Sequence, residues 1–175
     1  YSQGIKDMAI LINKDFREDF KWWKKRYYPK NKIKIIEEKK PLGTFGGLWL
    51  LKDWLKNTTF FLTNGDELKK INLGKMASFH KKLKIPATVA LVKFKNPRDY
   101  GVAICENGLV KKFLEKPSPS KVLRSKIWEG KKSTNYINSG LYLLSPEIFQ
   151  YHLGPKFTMI EKDILPKLAK KKKSA

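Results

Sequence analysis

Cysteine, histidine and arginine are all scarce in this chain, and each scarcity removes a class of protein. A single cysteine, Cys105, among 175 residues excludes an internal disulfide and a cysteine-based zinc site. The two histidines, His80 and His152, stand too far apart for a local zinc-finger pattern. Only four of the 38 basic residues are arginines (Arg17, Arg26, Arg98 and Arg124), although the planar guanidinium is the group that reads bases and phosphates in bidentate fashion. Long apolar runs are missing too, since none approaches the ~20 residues that span a bilayer. The N-terminus lacks the basic, apolar, small-residue order of a signal peptide. The expectation is a cytoplasmic protein with no membrane partner.

What is present is apolar material and positive charge. Hydrophobic residues make up 41% of the chain, enough for one domain with its own core. Acidic residues number 16, so the formal charge is +22. Lysines recur in almost every surface stretch and concentrate only in the run Lys170 to Lys173, which reads as a solvated basic surface rather than a DNA or RNA face. A potential of one sign also focuses small polyanions into a cleft.

Short apolar β-type runs alternate with helical runs, the pattern of βαβ units. Met8 to Ile12 is apolar throughout, as in a strand covered on both faces. Asp15 with Glu18 reads as a capping box, and Phe16, Phe20, Trp23 and Tyr27 follow at helical spacing as a core-facing stripe. Further strands are expected at Ile33 to Ile36, Thr59 to Thr63 and Ala87 to Phe94. Helical segments are expected after Thr44, taken as an N-cap with Leu48, Leu51 and Leu55 on its buried face, and over Leu73 to Leu83. Asn107-Gly108 predicts a hairpin joining Gly101 to Cys105 with Leu109 to Glu115. Pro117 to Asn135 reads as a mobile surface loop, Ile137 to Leu144 as a strand, Ser145-Pro146-Glu147 as the start of a short helix, and Met159 to Ala169 as a closing helix. The fold class that follows is α/β: an open, mostly parallel Rossmann-like sheet flanked by helices, with an added antiparallel hairpin. It forms one domain over residues 1–169 and leaves a disordered basic tail over 170–175.

Ligands of open α/β sheets bind beyond the carboxyl ends of the strands. Three segments fall there. In Gly43-Thr44-Phe45-Gly46-Gly47 the glycines let backbone approach a flat or anionic ligand, though a plain strand-to-helix turn explains them equally well, and neither a Walker loop nor a G-x-G-x-x-G pattern is present. Asp66 follows an apolar strand directly and suits either a turn cap or a Mg²⁺ ligand facing phosphate oxygens. Glu115-Lys116-Pro117 sets an acceptor beside a donor, for sugar hydroxyls and a phosphate, or is an ordinary surface pair.

Taken in order, Leu42-Gly43-Thr44 with Gly46, Asn64-Gly65-Asp66, Tyr100-Gly101-Val102, Phe113-Leu114-Glu115-Lys116-Pro117, Ile137-Asn138-Ser139-Gly140-Leu141-Tyr142 and Ile160-Glu161-Lys162-Asp163-Ile164-Leu165-Pro166 resemble the sugar-1-phosphate nucleotidyltransferase family. The Leu-Gly-Thr-x-Gly turn looks most like the mannose-1-phosphate and heptose-1-phosphate guanylyltransferase branch. The resemblance runs from about Gly4 to Leu168. It implies attack of a sugar-1-phosphate oxygen on the α-phosphorus of a nucleoside triphosphate, with GTP as the branch's nucleotide, and release of pyrophosphate. By the same resemblance Leu42, Gly43, Thr44 and Gly46 meet the nucleobase, and Asp66 is catalytic as a Mg²⁺ ligand. Gly101, Glu115, Asn138 and Gly140 line the sugar pocket, and Lys116 is catalytic on the sugar phosphate. Tyr100 and Tyr142 are expected in the core.

The family's N-terminal G-x-G-T-R-L loop, its Pro-Lys pair and its downstream Asp-Ile-Gly-Thr-like aspartate have no counterpart here. The resemblance therefore implies a chain truncated at both ends with impaired turnover. The alternative is a non-catalytic module of the same fold that binds nucleotide-sugars or regulates a partner.

Overall fold

Met8–Asn13 forms β1, the parallel partner of β2 (Ile33–Glu38) in the register Met8↔Ile33 through Asn13↔Glu38. This is seen in a computed structural model of the chain, which describes residues 3–93, 101–114 and 136–171. The crossover between the two strands is α1 (Arg17–Tyr27), so residues 8–38 make the expected βαβ unit.

Three expectations about this unit are corrected. β1 is not covered on both faces, because only Ile12 is fully buried and the other apolar residues of the strand are half-buried. The aromatic stripe of α1 does not reach a core: no α1 residue is buried, Phe16 and Tyr27 are 54% and 60% exposed, and the rings pair with one another, Phe20 with Trp23 and Trp23 with Tyr28. Periodicity reports which residues share a helix face, not whether another element covers it. The cap is Asn13, whose Oδ1 accepts from the Asp15 N–H, and it precedes a 3₁₀ turn over Lys14–Phe16.

After β2 the chain turns through α2 (Gly43–Gly46), a 3₁₀ stretch (Gly47–Leu51) and α3 (Lys52–Leu55), with Leu48, Leu51 and Leu55 buried as expected. Then come β3 (Phe60–Thr63), α4 (Leu73–Leu83), β4 (Ala87–Lys93), the hairpin β5 (Val102–Glu106) and β6 (Leu109–Leu114), and β7 (Tyr136–Leu144). Asn107 and Gly108 both have positive φ, 52° and 76°, the primed turn that the Asn-Gly pair predicts. β7 organises the second sheet. It runs antiparallel to β3 and β4, which therefore point the same way, and its first residues pair with β5. A 3₁₀ helix (Pro146–Tyr151), a π turn (Ile160–Ile164) and α5 (Leu165–Lys170) close the described chain. Lys170 ends a helix and does not belong to a tail.

The main core gathers Phe45, Leu144, Ile148, Ile160, Ile164, Leu165 and Leu168 with Tyr142, so the loop after β2, the central strand and the closing helices share one apolar interior. Burying side chains of this size contributes ~1.5–3 kcal/mol each relative to exposure. The expected loop Pro117 to Asn135, together with Phe94, Tyr100, Glu115 and Lys116, lies outside the described residues.

Candidate functional site

Register decides which residues stand beyond the strand ends. The last residue of β3, Thr63, pairs with Leu141, so Gly140 and Asn138 on the antiparallel β7 extend past the carboxyl end of β3. Asn138 also lies opposite Leu91, near the carboxyl end of β4. Its backbone N–H donates to the Gly101 carbonyl at 2.9 Å, fixing Gly101 beside it at the start of β5.

Asn64-Gly65-Asp66-Glu67 leaves β3 at the same place. The Asn64 N–H donates to the Gly140 carbonyl (3.0 Å), and a Cβ on Gly140 would stand 2.5 Å from Asn64 Nδ2. With φ of +63°, Gly140 occupies backbone space that an L side chain rarely adopts, which is how the strand keeps the turn against its wall. Glu67 pairs with Lys69 at 2.9 Å, an ion pair and not an aligned hydrogen bond. Asp66 is exposed and makes no hydrogen bond or ion pair among the described residues, so its lone pairs are uncommitted. A turn cap is thereby not its role. One carboxylate fits Mg²⁺, which keeps several waters and takes its other ligands from phosphates. Among the described residues no three metal-ligating side chains cluster.

The turn after β2 is held from the other side by the strand entering the π turn. Phe45 and Gly46 N–H both donate to the Thr158 carbonyl, and Thr158 N–H donates back to the Leu42 carbonyl at 2.9 Å. A Cβ on Gly43, whose φ is +75°, would sit 2.6 Å from that Thr158 oxygen, and one on Gly46 would collide with the Lys156 carbonyl. Both glycines thus permit a close backbone approach, but the partner is the protein's own chain. Thr44 is not the N-cap; that position is Leu42, which is buried and makes no side-chain cap. The Thr44 hydroxyl instead accepts from the Ile160 N–H (2.9 Å) and donates to Glu161 Oε2 (2.8 Å).

Glu161 is the residue that sequence reasoning quotes only as part of a motif. It is 8% exposed, and its second oxygen accepts from the Tyr142 hydroxyl at 2.9 Å. Tyr142, buried as expected, accepts from Asn138 Nδ2 at 2.6 Å, and Asn138 Oδ1 accepts from the Gly140 N–H at 3.1 Å. A continuous polar chain therefore joins the Leu42–Gly46 turn to the Asn138–Gly140 strand. Its sequence signal is weak, because one Glu beside a Lys reads as surface. Glu38 is a second such residue. Its carboxylate fills the space that a Gly47 side chain would need and lies 3.5 Å from the Leu42 nitrogen, and burial raises its pKa more than the Leu42 N–H lowers it.

Of the ten sequence-predicted site residues, eight are described. Leu42, Gly43, Thr44, Gly46, Gly101, Asn138 and Gly140 are linked into one region by these contacts, Asp66 follows two residues after Asn64 without a bond of its own, and Glu115 and Lys116 lie outside the described residues. A separate depression of about 430 Å³, lined by Lys21, Lys24, Lys25, Pro29 and Ile35, includes none of them. No helix among the described residues is long and apolar enough to cross a membrane.

Comparison with known proteins concerns the chain as a whole. The chain is 35% identical over 177 residues to a probable mannose-1-phosphate guanylyltransferase 3 of Arabidopsis thaliana, a match covering 97% of this chain and 50% of that protein. It thus spans half the length of that relative. In three dimensions it resembles HddC from Yersinia pseudotuberculosis, with a TM-score of 0.72, 24% identity, and coverage of 95% of this chain and 67% of that one. HddC complexed with GMP-PN gives the same TM-score at 23% identity, with the same coverage of both chains. These neighbours share the Rossmann-like α/β fold expected from the sequence. The Nucleotidyl transferase family model matches residues 1–175, and the chain belongs to the nucleotidyl transferase family.

Proposed function

We propose that this chain supplies the sugar-phosphate half and the base-facing turn of a site that transfers a nucleotidyl group from a nucleoside triphosphate to a sugar-1-phosphate. The similarity to a probable mannose-1-phosphate guanylyltransferase and the GMP-PN complex of HddC make GTP and mannose 1-phosphate the first probes. In that reaction an oxygen of the sugar phosphate forms a bond to the α-phosphorus while the bond from that phosphorus to the α,β-bridging oxygen breaks, and pyrophosphate leaves.

The observation that carries the reading is the polar chain from Thr44 through Glu161 and Tyr142 to Asn138, which sets the base turn and the sugar strand in one frame. Nucleotidyl transfer depends on alignment more than on a covalent nucleophile, so rigid spacing between two half-sites is the property it needs. Asn138 retains one amide hydrogen for a sugar hydroxyl, because the other goes to Tyr142. Gly140 keeps the wall thin, and Asp66 offers a free carboxylate where Mg²⁺ would neutralise phosphate charge. Glu115 and Lys116 keep their proposed roles on the sugar and its phosphate.

Calorimetry of the chain with GDP-mannose and Mg²⁺ tests this. Binding is expected, weakened roughly 10-fold or more by Asn138→Ala, a loss of about 1.4 kcal/mol for a hydrogen bond left unmade in a half-buried site. Equal affinity in the variant, or no heat with any nucleotide-sugar, contradicts the reading.

A further inference from the structure

We infer that Glu161 is a positioning residue that couples occupancy of the base turn to the orientation of Asn138, an inference that rests on the reading of those two segments as nucleotide and sugar half-sites. The polarity of the hydrogen-bond chain is fixed from both ends. Backbone N–H groups only donate, so Ile160 forces the Thr44 oxygen to accept, and Gly140 forces Asn138 to present its oxygen inward. A carboxylate only accepts. Thr44 and Tyr142 therefore both direct their hydroxyl hydrogens at Glu161, and Tyr142 takes the Asn138 amide hydrogen on its oxygen. One arrangement satisfies all five bonds, and it sets which face of the Asn138 amide is left for a ligand.

Three further observations separate this from routine core chemistry. Glu161 makes no ion pair among the described residues, so hydrogen bonds alone hold a carboxylate that is 8% exposed. Such a group is costly to bury, and its usefulness then lies in geometry rather than stability. It sits in a π turn, a rare widened helical turn concentrated at functional sites, stapled by the Met159 N–H to Asp163 Oδ2 at 2.8 Å. It also bridges Thr44, 117 positions away, to Tyr142 on the central strand, so displacement of the turn by a nucleotide pulls on the strand that carries Asn138.

Two measurements on the chain test the coupling. In denaturant unfolding, Thr44→Val and Tyr142→Phe are expected to be non-additive by ~5-fold or more in the unfolding equilibrium constant, and additive within ~2-fold when Glu161→Gln is present. Thr44→Ser, which keeps the hydroxyl, is expected to behave in this cycle as the native residue does, which assigns the coupling to the Thr44 hydroxyl. In titrations with Mg²⁺, GDP is expected to change mannose 1-phosphate affinity by ~5-fold or more in the native chain and by less than ~2-fold in Glu161→Gln. Additivity in the native background, or undiminished GDP–sugar coupling in Glu161→Gln, overturns the inference. If neither GDP nor mannose 1-phosphate binds the native chain, the proposed function fails while the unfolding cycle still decides the role of Glu161.

Discussion

Gly43 and Gly140 both hold positive φ, yet an added methyl group meets different neighbours at each. At Gly43 it meets the backbone carbonyl of Thr158, which cannot move without disturbing the three bonds that anchor the turn. At Gly140 the nearest atom is the Asn64 side-chain amide, which can rotate away. Gly140→Ala is accordingly expected to cost ~1–2 kcal/mol, mostly from the left-handed backbone, and Gly43→Ala ~3 kcal/mol or more. Denaturant unfolding of the two variants measures the difference, and the opposite ranking would contradict the packing described for the turn. Gly43 is visible in the sequence as a candidate for close approach, and Gly140 as a pocket residue through the family resemblance. Their partners are not, because Thr158 and Asn64 are brought to them by chain that lies far away in sequence. Thr44 shows the same limit: as a Thr preceding a helical run it reads as a cap, whereas the tertiary contact with Glu161 claims its hydroxyl.

At the scale of elements, α4, β4 and the turn after β7 meet at His80. The ring is buried, with Nδ1 2.8 Å from Thr88 Oγ1 and Nε2 2.8 Å from Ser145 Oγ. Burial lowers its pKa, a larger effect than the opposing attraction of Glu147. His152 is lowered as well, first by burial and then by Lys156. A histidine whose folded pKa lies below its unfolded value of ~6.5 leaves the native state fully stable above that pH and destabilises it as pH falls through the window beneath. The melting temperature is therefore expected to decline between pH 6.5 and pH 5, less steeply in His80→Gln; a melting temperature flat over that range in the native chain would contradict neutral burial. The elements themselves were largely legible. Val-rich β4, the Asn-Gly hairpin and the 73–83 helix follow from local pattern because local forces set them. The aromatic spacing of α1 predicts a helix but carries no information on what covers it, and the helix buries none of its residues.

For the whole molecule, the sequence announces the family through six short motifs in order and thereby the fold class, but carries no hint that an internal carboxylate network joins three of them. That network depends on the pairing of Thr158 with the Leu42–Gly46 turn and on a widened turn at Ile160–Ile164, both products of tertiary packing. The charge of +22, from 34 lysines and four arginines against 16 acidic residues, acts only as a general attraction for phosphates. Backbone amide NMR of this 20.4 kDa chain during titration with GDP-mannose and Mg²⁺ tests the central claim most directly, because it reports where a ligand acts. The account predicts that the largest shifts gather on residues 42–46, 64–67 and 138–142 and on Glu161. Shifts confined to the lysines of α1, or spread evenly over the lysine-rich surface, would contradict it.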